Sequence, residues 1–537
     1  MIFKSKYPDV EIPNVSLPEF VLGKIAEYGD RPALIDGPSG RTLTHAQLAG
    51  GVRRVAASLG QRGFGRGDTL AIYSPNLPEY ALAFLGTAAA GGTCTTANPL
   101  YTPDELALQI NDSGATLLVT VPPLLEAAKA GAEKSGRIQE IFVFGEAEGA
   151  TPFAALLASD PADAPQVEID PAEDVVALPY SSGTTGKPKG VMLTHRNLVA
   201  NICQTENLDD VGDHEVLIGV LPFFHSYGMT VIMSASLSRG STIVTMPRFD
   251  LEGFCGLIQQ HQVTIGYVVP PILVGLAKHP AIANYDLSSL KFLNSGAAPL
   301  GEDLAKAVEQ RIGCVVKQGY GLTETSPVTH TTPFAEGVQN KVEAVGIAIP
   351  NTECKILDIA SGEEVGPNVQ GELYIRGPQV MKGYLNNPQA TEECLDAEGW
   401  LRTGDVATID EDGYYRIHDR LKEFIKYKGF QVAPAELEDY LMGHPAVADA
   451  AVVPSPDEEA GEVPKAFIVA KPGVLDGRPA DQVAAEIQAY IAAKVAPHKK
   501  LRLIEFIDEV PKSASGKILR RFLVQRERER VAAEQGG

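Results

Sequence analysis

The sequence lacks the features that mark secreted proteins, proteins with structural zinc sites and membrane proteins. Its six cysteines lie far apart, without a C-x-x-C pair or a zinc-type spacing. The first residues, M-I-F-K-S-K-Y-P-D-V, hold no apolar leader segment, and no run approaches the ~18 apolar residues of a membrane span. These absences argue against a disulfide framework and a membrane span, and they predict a cytoplasmic protein with reduced thiols.

Positive charge is also scarce. The 46 Lys and Arg residues are outnumbered by 68 Asp and Glu residues, which gives a net charge of -22. A surface of this sign repels a phosphate backbone, which argues against nucleic acid as a general partner. The 537 residues exceed the roughly 250–300 at which one core stops growing, so we expect at least two domains. The sequence carries no signal of oligomeric state.

Most of the chain alternates short apolar runs with longer Ala- and Leu-rich stretches. Strands are predicted at 69–73, 117–121, 216–220, 242–246, 264–269 and 315–318, and a helix at 78–90. Alternation of this kind predicts an α/β fold with largely buried strands.

The pattern changes beyond Arg420 to short hydrophobic strands and two helices. One of these helices places Val483, Ile487 and Ile491 on a single face, together with Tyr490. Charged residues without an apolar run occupy 419–422, so the domain boundary is predicted there. We expect a large N-terminal domain of mixed α/β layers over 1–419 and a small α+β domain over 420–537.

The strongest local signal is the loop from Tyr180 to Gly190, Y-S-S-G-T-T-G-K-P-K-G. Its glycines allow close approach of the backbone to an anion, its hydroxyls donate to phosphate oxygens, and its lysines add positive charge. It differs from a P-loop, because Pro188 follows Lys187 where a Ser or Thr is needed. The loop predicts a polyphosphate site, and a mobile polar connection is the alternative.

Four further stretches accompany this loop along the chain: Gln318 to Glu324 (Q-G-Y-G-L-T-E), Trp400 to Asp405 (W-L-R-T-G-D), Asp419 to Gln431 (D-R-L-K-E-F-I-K-Y-K-G-F-Q) and Ser515 to Arg520 (S-G-K-I-L-R). In this order they resemble the adenylate-forming enzymes, which include acyl-CoA synthetases, luciferases and peptide-synthetase adenylation domains. The runs P-F-F-H-S-Y and N-S-G-A-A-P-L-G are most similar to the 4-coumarate:CoA ligase group, and we expect its bacterial members to be nearest.

The resemblance implies a two-step reaction. ATP and Mg²⁺ convert a carboxylic acid to an acyl-adenylate, and the acyl group then passes to the thiol of coenzyme A. The residues that it implies for ATP and AMP are Ser181, Ser182, Gly183, Thr184, Thr185, Lys189, Ala297, Gln318, Gly319, Tyr320, Thr323, Asp405, Arg420, Lys422, Lys426 and Lys517.

Among these, Asp405 and Arg420 match positions that hold the ribose hydroxyls, and an ion pair across the domain boundary is the alternative. Glu324 is implied as a ligand of Mg²⁺, with Thr184 as a second contact; a solvated residue at a helix start is the alternative for this glutamate.

Catalysis is assigned by resemblance to two geometries of a mobile C-terminal domain. In the first, Lys517 reaches the α-phosphate and the substrate carboxylate, beside His225. In the second geometry, the small domain rotates at Lys422. A loop that carries Lys426 and Gln431 as catalytic residues then takes the place of Lys517. The residues implied for coenzyme A are Arg248, Lys428 and Gly429, although a single arginine at 248 is equally well explained as structural.

The residues implied for the acyl pocket are His225, Tyr227, Val231, Asn294, Gly296, Pro327 and Val328. Plant coumarate ligases commonly carry Lys at the position of Asn294 and Ser at that of Val231, so the pocket is less polar here. The substrate expected first is 4-coumarate or another aryl acid, and the alternative is a medium- or long-chain fatty acid. A non-catalytic nucleotide- or acyl-binding regulator is the hypothesis from another class.

Overall fold

The fold was examined in a computed structural model, which describes residues 1–181, 188–206, 208–209, 212–335, 337–428, 430–457, 459–513 and 516–535. Within these ranges, no helix combines the length and the apolar character that a membrane crossing requires.

The described part of the large domain contains three sheets. The first has eight strands, in the spatial order Gly383–Tyr384, Lys189–Thr194, Val175–Ser181, Thr93–Ala97, Thr69–Tyr73, Leu117–Thr120, Glu140–Val143 and Thr151–Pro152. Its central strands are parallel, and Lys189–Thr194 runs antiparallel to Val175–Ser181. The glycine-rich segment therefore connects two neighbouring strands of this sheet.

The second sheet has nine strands in the described chain, in the order Ile347–Ala348, Val328–Thr331, Val315–Gly321, Phe292–Ser295, Ile265–Val268, Val216–Gly219, Thr242–Thr245, Pro32–Asp36 and Thr42–Thr44. The six strands from Val315–Gly321 to Pro32–Asp36 are parallel. Their carboxyl ends therefore meet at one edge, where ligands of α/β folds bind.

A third sheet closes the large domain. Its five strands, as far as the chain is described, are Phe3–Lys4, Glu353–Leu357, Gly371–Arg376, Leu401–Ile409 and Tyr415–Arg420. The chain turns at 410–413 between the last two strands of this sheet.

Helices cover the sheets. The α-helices of the large domain span Leu17–Leu22, Ile25–Tyr28, His45–Gln61, Pro78–Ala89, Pro103–Ser113, Leu125–Ser135, His195–Glu206, Ala235–Ser238, Leu251–His261, Pro270–Lys278, Glu302–Ile312 and Pro388–Cys394. A π-helix spans Tyr227–Ser234 and runs directly into Ala235–Ser238. Short 3-10 turns lie at Pro122–Leu124, Phe153–Leu157, Pro161–Asp163, Pro280–Asn284 and Thr323–Thr325.

The C-terminal domain has its own sheet and core. Its described strands are Ile425–Tyr427, Phe430–Val432, Val447–Asp457, Gly461–Ala470 and Leu503–Phe506, and its helices are Pro434–Met442, Ala480–Ala492 and Arg520–Gln535, with a 3-10 turn at Pro497–Lys499. Val483, Ile487 and Ile491 are fully buried in this core, as their spacing predicted. The α/β fold with a large N-terminal and a separate C-terminal domain is thus confirmed.

The chain passes from one domain to the other over a short connection. Arg420 ends the last strand of the large domain, and Ile425 begins the first strand of the small one. The exact boundary at 419/420 and the mobility of the small domain stay predictions.

Candidate active site

A cavity of about 1500 Å³ lies between the two domains, at the carboxyl edge of the nine-stranded sheet. Residues of both domains line it, including most of those that the sequence singled out. These are Ser181, Lys189, His225, Tyr227, Val231, Asn294, Gly296, Ala297, Gly319, Tyr320, Thr323, Glu324, Pro327, Val328, Arg420, Lys422 and Lys517. Residues that are more than 300 positions apart along the chain thus converge on one space.

Some candidate residues lie elsewhere. Arg248 is exposed and does not line the cavity. Lys426 and Lys428 belong to a hairpin of the C-terminal domain that also lies outside the cavity, where Lys428 pairs with Glu459 at 2.5 Å. The predicted second geometry of the small domain would have to bring this hairpin in.

Gln318 is buried beside the cavity rather than in its lining. Its Nε2 donates to the carbonyls of Leu300, at 3.2 Å, and Val342, at 2.5 Å. The side chain therefore holds two backbone segments together. The predicted contact of Gln318 with the nucleotide would have to come from its backbone atoms.

The remaining candidates cannot be placed. Ser182, Gly183, Thr184, Thr185 and Gly429 lie outside the described residues, as does the side chain of Gln431.

Asp405 and Arg420 are paired across adjacent strands. Their backbones are in register, and Arg420 Nε lies 3.2 Å from Asp405 Oδ1. The hydroxyl of Tyr320 donates to the other carboxylate oxygen at 2.5 Å. Burial raises the pKa of Asp405, whereas Arg420 and Tyr320 oppose this rise. The two side chains thus form an ion pair within one sheet of the large domain, which also holds the phenol ring of Tyr320 at the cavity wall. Their contact with the ribose stays a prediction.

Glu324 is held through one of its two carboxylate oxygens. Its Oε1 accepts hydrogen bonds from Ser181 Oγ, at 3.0 Å, and from the Tyr384 hydroxyl, at 2.8 Å. Lys189 Nζ lies over the Tyr384 ring, 4.8 Å from its centre. No partner of Oε2 is recorded among the described residues, so this oxygen can bind a hard cation. No group of three or more possible metal ligands occurs in the described chain.

His225 and Lys517 both line the cavity. Burial first and the Lys517 ammonium second lower the pKa of His225 to about 4, while Glu324 opposes the fall. Its Nδ1 accepts the backbone N–H of Tyr227 at 3.3 Å. A neutral imidazole that accepts at Nδ1 carries its proton on Nε2 and is a donor there. The pKa of Lys517 is also lowered, by burial first and by Arg420 second.

The segment that carries Lys517 is tied to the interdomain connection. Arg520 donates through Nη1 to Glu423 at 2.7 Å and through Nη2 to Glu438 at 2.5 Å. Ser513 closes the segment itself, because its Oγ accepts the backbone N–H of Lys517 at 3.1 Å. Lys517 is therefore positioned by the same contacts that join the connection to the C-terminal domain.

The acyl side of the cavity is built around the π-helix. The Tyr227 hydroxyl donates to the Asn294 carbonyl at 3.2 Å and accepts from Asn294 Nδ2 at 3.0 Å. Gly296 is needed beside it, since an added Cβ would lie 2.9 Å from the Tyr227 ring. Asn294 Oδ1 is buried without a hydrogen-bond partner in the described structure. The wall thus offers a free acceptor, while the single proton of Tyr227 is already used.

Sequence reasoning missed three of these contributors. Tyr384, Arg520 and its partner Glu423 hold the metal candidate and the lysine segment, yet none was assigned a role. Arg520 ends the motif S-G-K-I-L-R, so the motif contained the signal. Tyr384 carries no signal in its spacing, because its partner Glu324 lies 60 positions away.

Comparison with known proteins identifies the family. Residues 23–385 match the model of the AMP-binding enzyme family, and residues 436–517 match that of the AMP-binding enzyme C-terminal domain. The chain is 46% identical to 4-coumarate--CoA ligase 5 of Oryza sativa subsp. japonica, over 97% of this chain and 96% of that one. The most similar curated relatives found are plant proteins, whereas the sequence had suggested bacterial ones.

Solved structures agree. The anthranilate CoA ligase AuaEII in complex with anthranoyl-AMP superposes with a TM-score of 0.89 at 25% identity, over 97% of this chain and 99% of that one. ATP-bound MatB from Rhodopseudomonas palustris gives a TM-score of 0.84 at 27% identity, over 95% and 99%; the apo form of the same protein gives 0.76 at 27%, over 96% and 99%. The chain belongs to the AMP-binding enzyme family, as its five motifs predicted.

Proposed function

We propose that this protein is an AMP-forming acid:CoA ligase that acts on 4-coumarate or a related aryl acid. A carboxylate oxygen attacks the α-phosphorus of ATP, the bond to the bridging oxygen breaks, and pyrophosphate leaves. The thiol of coenzyme A then attacks the acyl carbonyl, loses its proton, and displaces AMP. The observation that carries the proposal is the convergence of Lys517, His225 and Glu324 on one cavity.

Two groups serve the first step. The Lys517 ammonium offsets the negative charge that gathers on the α-phosphate and the attacking carboxylate, which are both anions. The neutral His225 donates a hydrogen bond from Nε2 to the substrate carboxylate and orients it. The carboxylate stays deprotonated, so it remains a nucleophile. Both residues line the cavity, so water is partly displaced when the acid binds.

Mg²⁺ fits the chemistry of Glu324, whose Oε2 is a hard oxygen ligand without a partner among the described residues. The ion, when bound, would offset phosphate charge. Ser181 and Tyr384 hold the carboxylate through its other oxygen, and Thr184 is proposed as a second contact. Asp405 and Arg420 are proposed to meet the ribose, and the glycine-rich segment to meet the phosphates.

The second step needs a different orientation of the small domain. We assign it to rotation at Lys422, which would remove Lys517 and bring in Lys426 and Gln431, with Lys428, Gly429 and Arg248 meeting coenzyme A. The present orientation is more similar to ATP-bound MatB than to apo MatB. That preference supports its assignment to the first step.

An aryl acid is favoured by the wall opposite His225. Asn294 Oδ1 is a buried acceptor without a partner, and a phenolic hydroxyl is a donor that would complete it. The relatives named 4-coumarate--CoA ligases support the same substrate class. A cytoplasmic location is proposed from the thiols, because all six cysteines are free.

The division of labour between the two lysines is testable. Lys517→Ala should slow acyl-adenylate formation by roughly 10²–10³, because one charge-stabilising donor is lost. Thioester formation from supplied acyl-adenylate should be nearly unaffected. Lys426→Ala is the matched control and should give the opposite pattern. ATP–pyrophosphate exchange and single-turnover thioester assays measure the two steps, and an equal loss in both for either variant would contradict the assignment.

The protonation state of His225 predicts a pH dependence. Its folded pKa of about 4 lies below the unfolded value of about 6.5, so the neutral form stabilises the fold above pH 6.5, and this contribution is lost as the pH falls towards 4. Between pH 7.5 and 5.0, the wild type should lose about 2 kcal/mol of unfolding free energy more than His225→Asn. Urea denaturation at both pH values measures this, and equal losses would show that His225 titrates normally.

The acceptor on Asn294 predicts a modest preference for the phenol. One neutral hydrogen bond contributes about 1 kcal/mol, so kcat/KM for 4-coumarate should exceed that for cinnamate by about 5–10-fold. Asn294→Leu should reduce this ratio towards one, and Val231→Ser should increase it. A wild-type ratio above roughly a thousandfold would mean that another group binds the phenol.

A further inference from the structure

The acyl cavity extends well beyond Asn294 along one helix face. Tyr227, Val231, Ala235 and Arg239 recur every four positions along the continuous π- and α-helical segment, and all four line the cavity. The helix axis between the first and last of them measures up to ~18 Å at 1.5 Å per residue. Arg239 therefore lies at the other end of this helix face from Tyr227, which follows His225 by two residues.

Arg239 is buried there, and its guanidinium makes one hydrogen bond within the described residues. Only 8% of the residue is exposed. Nη2 donates to Thr205 Oγ1 at 3.2 Å, while Nε is buried without any hydrogen-bond partner. No carboxylate among the described residues forms an ion pair with this guanidinium within 4.0 Å. A buried cation of this kind is costly unless an anion joins it.

An acid on the same cavity wall is committed elsewhere. Asp209 lines the cavity, but its Oδ1 accepts from the buried ammonium of Lys317 and, at 2.8 Å, from the backbone N–H of Phe334. Lys317 balances this carboxylate, so Asp209 does not offset the charge of Arg239. Tyr267 lines the same end, and no hydrogen bond of its hydroxyl is recorded within the described structure, so it is a second donor.

We propose that Arg239 forms an anion subsite at the far end of the acyl cavity, which selects carboxylic acids that carry a second carboxylate, or a similar anionic group, at the opposite end. The guanidinium and the Tyr267 hydroxyl donate to this group, and the apolar wall of Val231 and Ala235 covers the chain between the two ends. This inference deepens the proposed function and rests on it for the reacting end of the acid.

Paired acids test the subsite. We compare kcat/KM for ATP–pyrophosphate exchange between decanedioate and decanoate, dodecanedioate and dodecanoate, and 4-carboxycinnamate and 4-methylcinnamate. In the wild type, at least one diacid should exceed its partner by tenfold or more. Arg239→Met should lower that ratio by about 10–100-fold, which is the usual effect of losing a hydrogen bond to a charged group.

The ratio is taken within each variant, so a general loss of activity cancels. Arg239→Lys should retain part of the preference, and Arg53→Met, which removes an exposed arginine that is absent from the cavity lining, should leave it intact. Where exchange occurs, the subsite is refuted if no diacid is preferred in the wild type, or if Arg239→Met keeps the preference.

Direct binding separates this inference from the proposed function. Calorimetric titration with the preferred diacid should give a Kd that rises by about 10–100-fold in Arg239→Met. If no acid supports exchange while this difference is found, the proposed function is wrong and the subsite stands. If exchange occurs and the two Kd values agree, the function stands and the subsite is wrong.

Discussion

The position of Lys517 depends on one largely buried guanidinium. Arg520 joins Glu423 of the connection to Glu438 of the C-terminal domain through two part-buried hydrogen bonds. Burial raises the pKa of Glu438 to about 7, and the Arg520 charge opposes that rise. Removing one partner would leave the other charge partly buried and uncompensated, which is unfavourable. The contact thus ties the interdomain connection to the segment that carries Lys517.

The cavity itself separates three electrostatic tasks. The cation, Lys517, belongs to the small domain, and the neutral donor, His225, belongs to the large domain. Glu324, also in the large domain, has a carboxylate oxygen without a partner in the described part of the chain. Because Lys517 alone of these comes from the small domain, a rotation of that domain would remove the cation and leave the other two groups in place. A rotation of the small domain can therefore change the reaction that the site supports while the residues of the large domain stay in place.

The sequence predicted what depends on local pattern. Continuous apolar runs identified the strands, because parallel strands that are buried on both faces consist largely of apolar residues. The spacing of Val483, Ile487 and Ile491 identified a helix face. It could not predict pairings between distant residues. Three such features depend on how the sheets and helices pack. They are the hydrogen bond from Tyr384 to Glu324, the hydrogen bonds from Gln318 to backbone carbonyls, and the buried Nε of Arg239, which has no partner in the described structure.

The central claim is that the present domain orientation makes the acyl-adenylate. A Cβ built on Gly301 would lie 2.8 Å from Asp439 Cγ across the domain interface. The two Cβ atoms of a disulfide are about 3.5–4.5 Å apart. The double variant Gly301→Cys with Asp439→Cys should therefore form a disulfide. The oxidised double variant should keep ATP–pyrophosphate exchange and lose thioester formation, which a reductant restores. Thioester formation at the wild-type rate by the fully cross-linked protein would contradict the claim.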